Sequence, residues 1–404
     1  METDNKAYIT MPKGFKATGI CAGLKGEGKL DFNLIASDVP AVTAGVYTSN
    51  LVKGHSLQRM IKLIADGTPK RAIAVNAKNA NACVGAVGIE DADKIASAIA
   101  KELGCDSKEV LTASTGVIGI RLPVEQMISH VPELVSSLSY DEEAAHNAEL
   151  AMMTTDTIPK EVSAEITVQD GKTVRISAIA KGSGMIHPNL ATMISVFTTD
   201  VEIEKDLLDN LLKKAVAHTF NRVSVDGDTS VCDSVIVMAN GMSGVKITEG
   251  SEDADIFFST LEQLATDLAR MIAADGEGAT KFLEVICKGA PTAEDAKLVV
   301  TSCARSPLCK TAIFGEDANF GRFITACGYS GANFDPDKLD MYIGDLKVCE
   351  NGDATITDEE AAAKLLAEHD VTITIDLKSG DFFDRMYTCD FSYDYVKING
   401  SYRS

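Results

Sequence analysis

The sequence predicts a mixed α/β protein built in layers, either as two lobes or as one large layered unit. Three observations carry that expectation. The chain has 404 residues, more than one hydrophobic core usually serves. Residues 1–150 alternate short apolar runs and glycine turns with a helical stretch, and the tail alternates a helix with strand-like segments. Between them, residues 164–180 read as a hairpin.

In chain order, Ala72–Ala77 is the first clear apolar run, and residues 92–103 form the helical stretch. In 164–180, Ile166 and Val168 precede Asp170-Gly171 while Val174 and Ile176 follow it, so the Asp-Gly pair predicts a tight turn between strands. Residues 191–197, Ala-Thr-Met-Ile-Ser-Val-Phe, read as a strand. Over 203–220, Leu207, Leu208, Leu211, Leu212, Ala215, Val216 and Phe220 mark one apolar helical face. A second such face runs through Leu261, Leu264, Leu268, Met271 and Ile272 and stops at Asp275-Gly276. Thr292 and Asp295 make a capping box for a helix starting near 293. The tail predicts a helix over 358–368, a strand carrying Val371, Ile373 and Ile375, and a strand alternating Tyr387, Cys389, Phe391, Tyr393 and Tyr395. No linker or short repeat marks a domain boundary.

Hydrophobic residues make up 45% and charged residues 24% of the chain, the balance of a folded globular protein. Its formal charge of −21 opposes a phosphate backbone, so no nucleic-acid partner is expected. The first residues lack the basic and apolar regions of a leader, and no apolar run reaches spanning length. The expectation is a cytoplasmic protein with no membrane partner. The ten cysteines contain no C-x-x-C pair and read mostly as reduced core residues.

Several motifs have a bland reading. Gly23–Leu30, "GLKGEGKL", comes close to a phosphate-binding loop, but Leu30 stands where a magnesium-binding hydroxyl belongs, so a glycine-rich surface turn explains it better. "DGEGATK" (275–281) lacks full loop spacing, although Glu277, Thr280 and Lys281 could face a polar ligand. The six histidines include no H-E-x-x-H, so no metal is expected; no serine sits in a G-x-S-x-G elbow.

The segment "KGSGMIHPNLATM" (181–193) raises a sharper possibility. A threonine hydroxyl attacks a carbonyl poorly unless a base takes its proton, and a free α-amine, with pKa near ~8, can be that base within the same residue. Cleavage before Thr192 would create that amine. A cut without a protease requires Thr192 Oγ1 to attack the Ala191 carbonyl in a strained or bent peptide with donors for the oxyanion; Gly182, Gly184 and Pro188 could shape the bend. The competing reading is an ordinary strand, and the two are compatible, since a strand would hold a nucleophile rigidly.

Here the residues resemble the ornithine acetyltransferases, also called bifunctional glutamate N-acetyltransferases, of arginine biosynthesis. The resemblance spans essentially the whole chain, through "NAKNANACVG" (76–85), "STGVIG" (114–119), "MTTDTIPK" (153–160), the 181–193 segment, "SVDGDTSVCDSV" (224–235), "TAIFGEDANFGR" (311–322) and "INGSYRS" (398–404). It implies a layered, two-lobed autoproteolytic N-terminal-nucleophile fold. It also implies self-cleavage between Ala191 and Thr192 into an α chain, 1–191, and a β chain, 192–404, associated as a heterotetramer of two α and two β chains. The implied reaction is ping-pong transfer of acetyl from N2-acetylornithine to glutamate through Thr192, with Thr115 and Gly116 stabilising the oxyanion and no cofactor. Thr154, Lys181, Thr192, Glu277, Asn399 and Ser404 match the family's substrate-binding positions. Acetyl-coenzyme A stays open as a second donor. Leu190 stands where relatives often have Met, Ser404 where they have Thr, and Cys232 where many have a polar residue; no reacting group is lost. The alternatives are a related N-terminal-nucleophile amidohydrolase or aminopeptidase, in which water takes the acyl group, and an uncleaved binding protein.

Overall fold

A computed structural model describes residues 8–168, 171–187, 193–355 and 359–401. The chain divides into two compact units. The first is formed by Met1–Gly182, Asn189–Asn221 and Thr229–Leu268, the second by Ser183–Pro188, Arg222–Asp228 and Ala269–Ser404. Both draw on residues from either side of the Ala191–Thr192 bond, so the units are not the expected cleavage products.

The strands of the first unit are β1 (Phe15–Ile20), β2 (Phe32–Tyr47), β3 (Lys70–Asn76), β4 (Val110–Ser114), β5 (Glu161–Thr167), β6 (Thr173–Lys181), β7 (Ile194–Thr199), β8 (Glu202–Ile203), β9 (Ser234–Ala239) and β10 (Lys246–Ile247). Its helices are α1 (His55–Ala65), α2 (Val87–Leu103), α3 (Val124–Ser129), α4 (Val131–Ser136), α5 (Glu142–Met152), α6 (Lys205–His218) and α7 (Glu252–Ala274), the last crossing the unit boundary. The main sheet runs β4-β3-β2-β9-β7-β6-β5, with β1 also on β2, while β8 and β10 pair separately. Strand alternation fills both faces: Leu34, Ala36, Ala72 and Ala74 pack with α2, α3 and α4, whereas Ile35, Ile73, Val75 and Leu111 join a cluster with α1 and α5.

In the second unit come β11 (Phe282–Ala290), α8 (Ala293–Arg305), α9 (Pro307–Phe314), α10 (Phe320–Gly328), β12 (Asp340–Ile343), β13 (Leu346–Glu350), β14 (Asp353–Ala354), α11 (Glu359–Ala367), β15 (Asp370–Asp376), β16 (Phe382–Cys389) and α12 (Tyr393–Gly400). Their sheet runs β14-β13-β12-β15-β11-β16. Its core joins Leu283, Val285, Ile373 and Ile375 to Val299, Val300, Cys303 and Phe323.

The α/β layering and two-unit division match the sequence expectation. β5 and β6 pair antiparallel from Glu161↔Ile179 to Thr167↔Thr173; Gly171 takes the left-handed φ of +78° that the turn predicts, while Asp170 lies outside the described residues. The apolar face at 203–220 becomes α6. The next face begins earlier than its leucines suggest, because Ala254 and Phe257 extend it, and acidic Glu252, Asp253 and Asp255 suit the first turn. Thr292 caps α8, accepting the Asp295 N–H at 3.1 Å. All ten cysteines are free thiols, and Gly26 and Gly28 sit in open turns with φ of +93° and +75°.

One expectation fails. The alternation through 387–395 does not make a single strand: β16 stops at Cys389, and Ser392 caps α12 by accepting the Asp394 N–H at 3.1 Å. Asp390 breaks the ladder by accepting from Thr280 N–H at 2.8 Å and Lys281 N–H at 3.0 Å. Phe391 and Tyr395 then stack at 4.8 Å between ring centroids, an aromatic pair that a spacing of two in sequence disguised as strand alternation.

Ile373 is fully buried at the centre of β15, between Val285 of β11 and Ile343 of β12. Ile373→Ala is expected to cost about 2–5 kcal/mol, read as a lower urea midpoint for the unfolding of the second unit.

Candidate active site

In the first unit, Thr115 and Gly116 follow the end of β4. The turn rests on a buried asparagine scaffold. Asn76 Oδ1 accepts from Ser114 Oγ at 2.7 Å, Ser114 and Ser56 hydroxyls meet at 2.8 Å, and Asn81 Nδ2 donates to Ser56 Oγ at 3.0 Å. Thr115 N–H donates to the Asn76 carbonyl at 3.0 Å. Asn79 Nδ2 donates to the carbonyls of Ile120 and Arg121 at 2.8 and 3.1 Å, tying the loop to the far side of the turn. Lys78, Asn81 and Cys83 all take positive φ, of 72°, 49° and 58°, a strained run that the scaffold compensates.

Gly116 has φ of +128°, and a Cβ there would lie 2.2 Å from the Lys78 carbonyl carbon. Only glycine lets the two backbones approach so closely. Thr115 is almost wholly buried. Among the described residues, neither its hydroxyl nor the Gly116 N–H is engaged in a hydrogen bond. Two adjacent donors on a rigid turn, with no acceptor among the described residues, form an arrangement that can receive an oxyanion.

Lys181 closes β6 and is buried beside Ile194, its register partner on β7. Its Nζ lies 3.8 Å from Asp156 Oδ2, an ion pair too long to be a hydrogen bond. Asp156 is the node of this region. It accepts from Lys160 Nζ at 2.9 Å, from Thr154 N–H at 2.9 Å and from Gly182 N–H at 2.5 Å. Burial would raise its pKa, but Lys181, Lys160 and the two N–H groups outweigh that and hold the carboxyl well below the usual range. Thr154 and Lys181, both expected at the substrate, thus meet on one carboxylate that the sequence reading did not single out. The i, i+4 spacing of Asp156 and Lys160 was the available signal.

Beyond the loop, Ala80 O accepts from Cys232 Sγ at 3.4 Å, and the neighbouring Asp233 accepts the Met193 N–H at 3.0 Å. A continuous packed path therefore joins the Thr115 turn to the residue that follows Thr192. Ala191, Thr192 and Ser404 themselves lie outside the described residues.

The second unit holds the other expected residues. Glu277 is nearly buried; its Oε2 accepts from Asn399 Nδ2 at 2.7 Å, and its N–H donates to the Ser183 carbonyl at 3.0 Å. A Cβ on Gly184 would come within 2.3–2.5 Å of the Glu277 carboxyl, so this glycine admits the acid. Met185 and Ile186 N–H groups donate to Asp226 at 2.6 and 2.9 Å. His187 meets Ser224 Oγ at 3.1 Å, and burial followed by the charge of Arg305 lowers its pKa to about 4, so it is neutral at pH 7. No group of three or more metal-ligating side chains occurs among the described residues.

Two outcomes follow. With the oxyanion role expected from the sequence, Gly116→Ala should slow acetyl transfer by about 10²–10³ in kcat, because the displaced turn would misaim both donors; steady-state assay of the folded variant checks this. Asp156→Asn should cost about 3–5 kcal/mol near neutral pH, since two buried ammonium groups lose their shared counter-charge. A carboxyl depressed by folding contributes stability above its unfolded pKa, about 4, and loses it as pH falls. The difference in melting temperature between wild type and Asp156→Asn should therefore shrink progressively below about pH 4.

Comparison with known proteins bears on the whole chain. The ArgJ family model matches residues 16–404. The arginine biosynthesis bifunctional protein ArgJ of Caldanaerobacter subterraneus subsp. tengcongensis is 47% identical over 401 residues, 98% of each chain. Its counterpart from Symbiobacterium thermophilum is 45% identical over 399 residues, again 98% of each. The crystal structure of arginine biosynthesis bifunctional protein argJ from Bacillus halodurans aligns with a TM-score of 0.49 at 40% identity, covering 50% of this chain and 96% of that one. On the family match and the full-length relatives together, this chain belongs to the ArgJ family.

Proposed function

We propose that this acetyltransferase of arginine biosynthesis cuts itself between Ala191 and Thr192 and carries the transferred acetyl group as an ester of Thr192. The α-amine of the new terminus takes the proton from Oγ1, which attacks the acetyl carbonyl of N2-acetylornithine. The Thr115 hydroxyl and Gly116 N–H receive the oxyanion. As the C–N bond breaks, the α-ammonium returns its proton to the leaving nitrogen and ornithine departs. The amine of glutamate then attacks the ester and gives a proton to the Thr192 α-amine, which passes it to Oγ1 as the C–O bond breaks, so N-acetylglutamate leaves and the threonine hydroxyl is restored. Lys181 is assigned to a substrate carboxylate, Glu277 with Asn399 to the ornithine ammonium, and Thr154 and Ser404 to further substrate contacts. No cofactor is needed, and acetyl-coenzyme A would enter as an alternative acetyl donor at the same threonine.

The observation that carries this reading is the pair of rigid, unengaged donors at Thr115 and Gly116. In the same reading the two cleavage products stay together, as a heterotetramer of two α and two β chains, in the cytoplasm. Among the described residues, no helix is long and apolar enough to cross a membrane.

Mass spectrometry of fresh wild-type protein should find fragments 1–191 and 192–404, and an acetyl adduct on the second during turnover. Thr192→Ala should remain one uncut, inactive chain, whereas Thr192→Ser, which keeps a hydroxyl, should retain part of both activities. Release of ornithine that continues unabated without glutamate would identify a hydrolase instead.

A further inference from the structure

Met193 is held from both sides by two consecutive residues at the start of β9. Asp233 Oδ1 accepts the Met193 N–H at 3.0 Å, and the Ser234 N–H donates to the Met193 carbonyl at 3.0 Å. The second bond opens the parallel ladder that continues through Ile194↔Ser234 to Thr199↔Ala239. The first is not a ladder bond. A side chain supplies it, at the one position where β7 has not yet begun.

Asp233 is itself fixed. Its carbonyl accepts the Thr48 N–H at 3.1 Å, and its side chain is fully buried, with Oδ2 lacking a partner among the described residues. Burial pushes the carboxyl well above the usual range, against the opposing pull of the Met193 N–H and the Lys181 charge. Its contact with Met193 is a hydrogen bond from an amide to a rigid carboxyl oxygen. Burial also raises the pKa of the Cys232 thiol beside it.

We propose that Asp233 is a positioning residue for the nucleophile: its Oδ1 pins the amide that Thr192 shares with Met193. This rests on the reading of Thr192 given above. An interior residue is anchored by two peptide bonds, but a residue that becomes a chain terminus keeps only one. After the cut, the place of the Thr192 hydroxyl and amine depends on that remaining peptide plane, whose N–H is held by Asp233. Misplacing a reacting group by about 1 Å can cost on the order of 100-fold in rate, so the loss of this bond should appear in both self-cleavage and turnover.

Asp233→Ala and Asp233→Asn separate positioning from mere filling of space. Asparagine keeps an oxygen at the same reach; alanine does not. The time course of the 192–404 fragment is followed by mass spectrometry, and kcat and KM are measured with N2-acetylornithine and glutamate on matured, folded protein. Asp233→Ala should mature about 100-fold more slowly and turn over with reduced kcat and unchanged KM, while Asp233→Asn runs near wild type in both. Should the alanine variant not fold, Asp233→Ser, whose hydroxyl is one bond short of the Met193 N–H, takes its place with the same expectation. Wild-type rates in the alanine or serine variant, or an asparagine variant as slow as either, would overturn the role of Asp233 alone. A wild-type chain that stays uncut would overturn the Thr192 reading, and this inference with it.

Discussion

The first unit depends on how a sheet can bury two ammonium groups and a carboxylate at one strand end. Lys160, Lys181 and Asp156 have almost no contact with solvent, and isolated charges in such a place would be driven to their neutral forms. The carboxylate resolves this by serving both lysines and two backbone N–H groups at once. Because Gly182 N–H is one of those groups, the same carboxylate that pairs with Lys181 also fixes the backbone where β6 ends. Charge and chain direction are therefore set together, ahead of the stretch that contains Thr192.

A comparable economy governs the Thr115 turn. The asparagines at 76, 79 and 81 satisfy backbone groups that positive φ values would otherwise leave exposed or unpaired. Many polar groups of the loop are consumed internally, whereas among the described residues the Thr115 hydroxyl and Gly116 N–H are not. Pre-organised donors of this kind stabilise developing charge without reorganising when it appears. The strain held at Lys78, Asn81 and Cys83 is the local cost of that geometry.

Periodic elements were legible in the sequence because their cause is local. The leucines of α6 and the Thr292 cap of α8 report on neighbours three and four residues away. The reading failed at 391–395, where an N-cap and an aromatic stack overrode apparent alternation. It also passed over Asp156 and Asp233, because a buried acid looks like any surface acid until its partners are known. Asp233 meets Met193 across 40 residues, and Glu277 meets Asn399 across 122; no spacing rule reaches that far. Gly116 carried a faint signal as the glycine of a Ser-Thr-Gly turn, but the Lys78 backbone that makes glycine obligatory comes from another part of the chain.

The position of the proposed cut explains why it need not disperse the fold. The bond joins two segments that are already neighbours: β6 and β7 pair antiparallel from Ile176↔Thr199 to Lys181↔Ile194, and β7 continues into β9 through a parallel ladder. Breaking the chain between 191 and 192 would leave β5 and β6 on one product and β7 and β9 on the other, with their shared ladder and the apolar cluster behind Ile179, Val196 and Ile236 intact. Sheet hydrogen bonds and burial would hold the pieces, so the fold would not need that covalent link. The proposed cut would change only the two residues at the bond: Ala191 would gain a carboxylate, and Thr192 would gain an amine and lose an anchor.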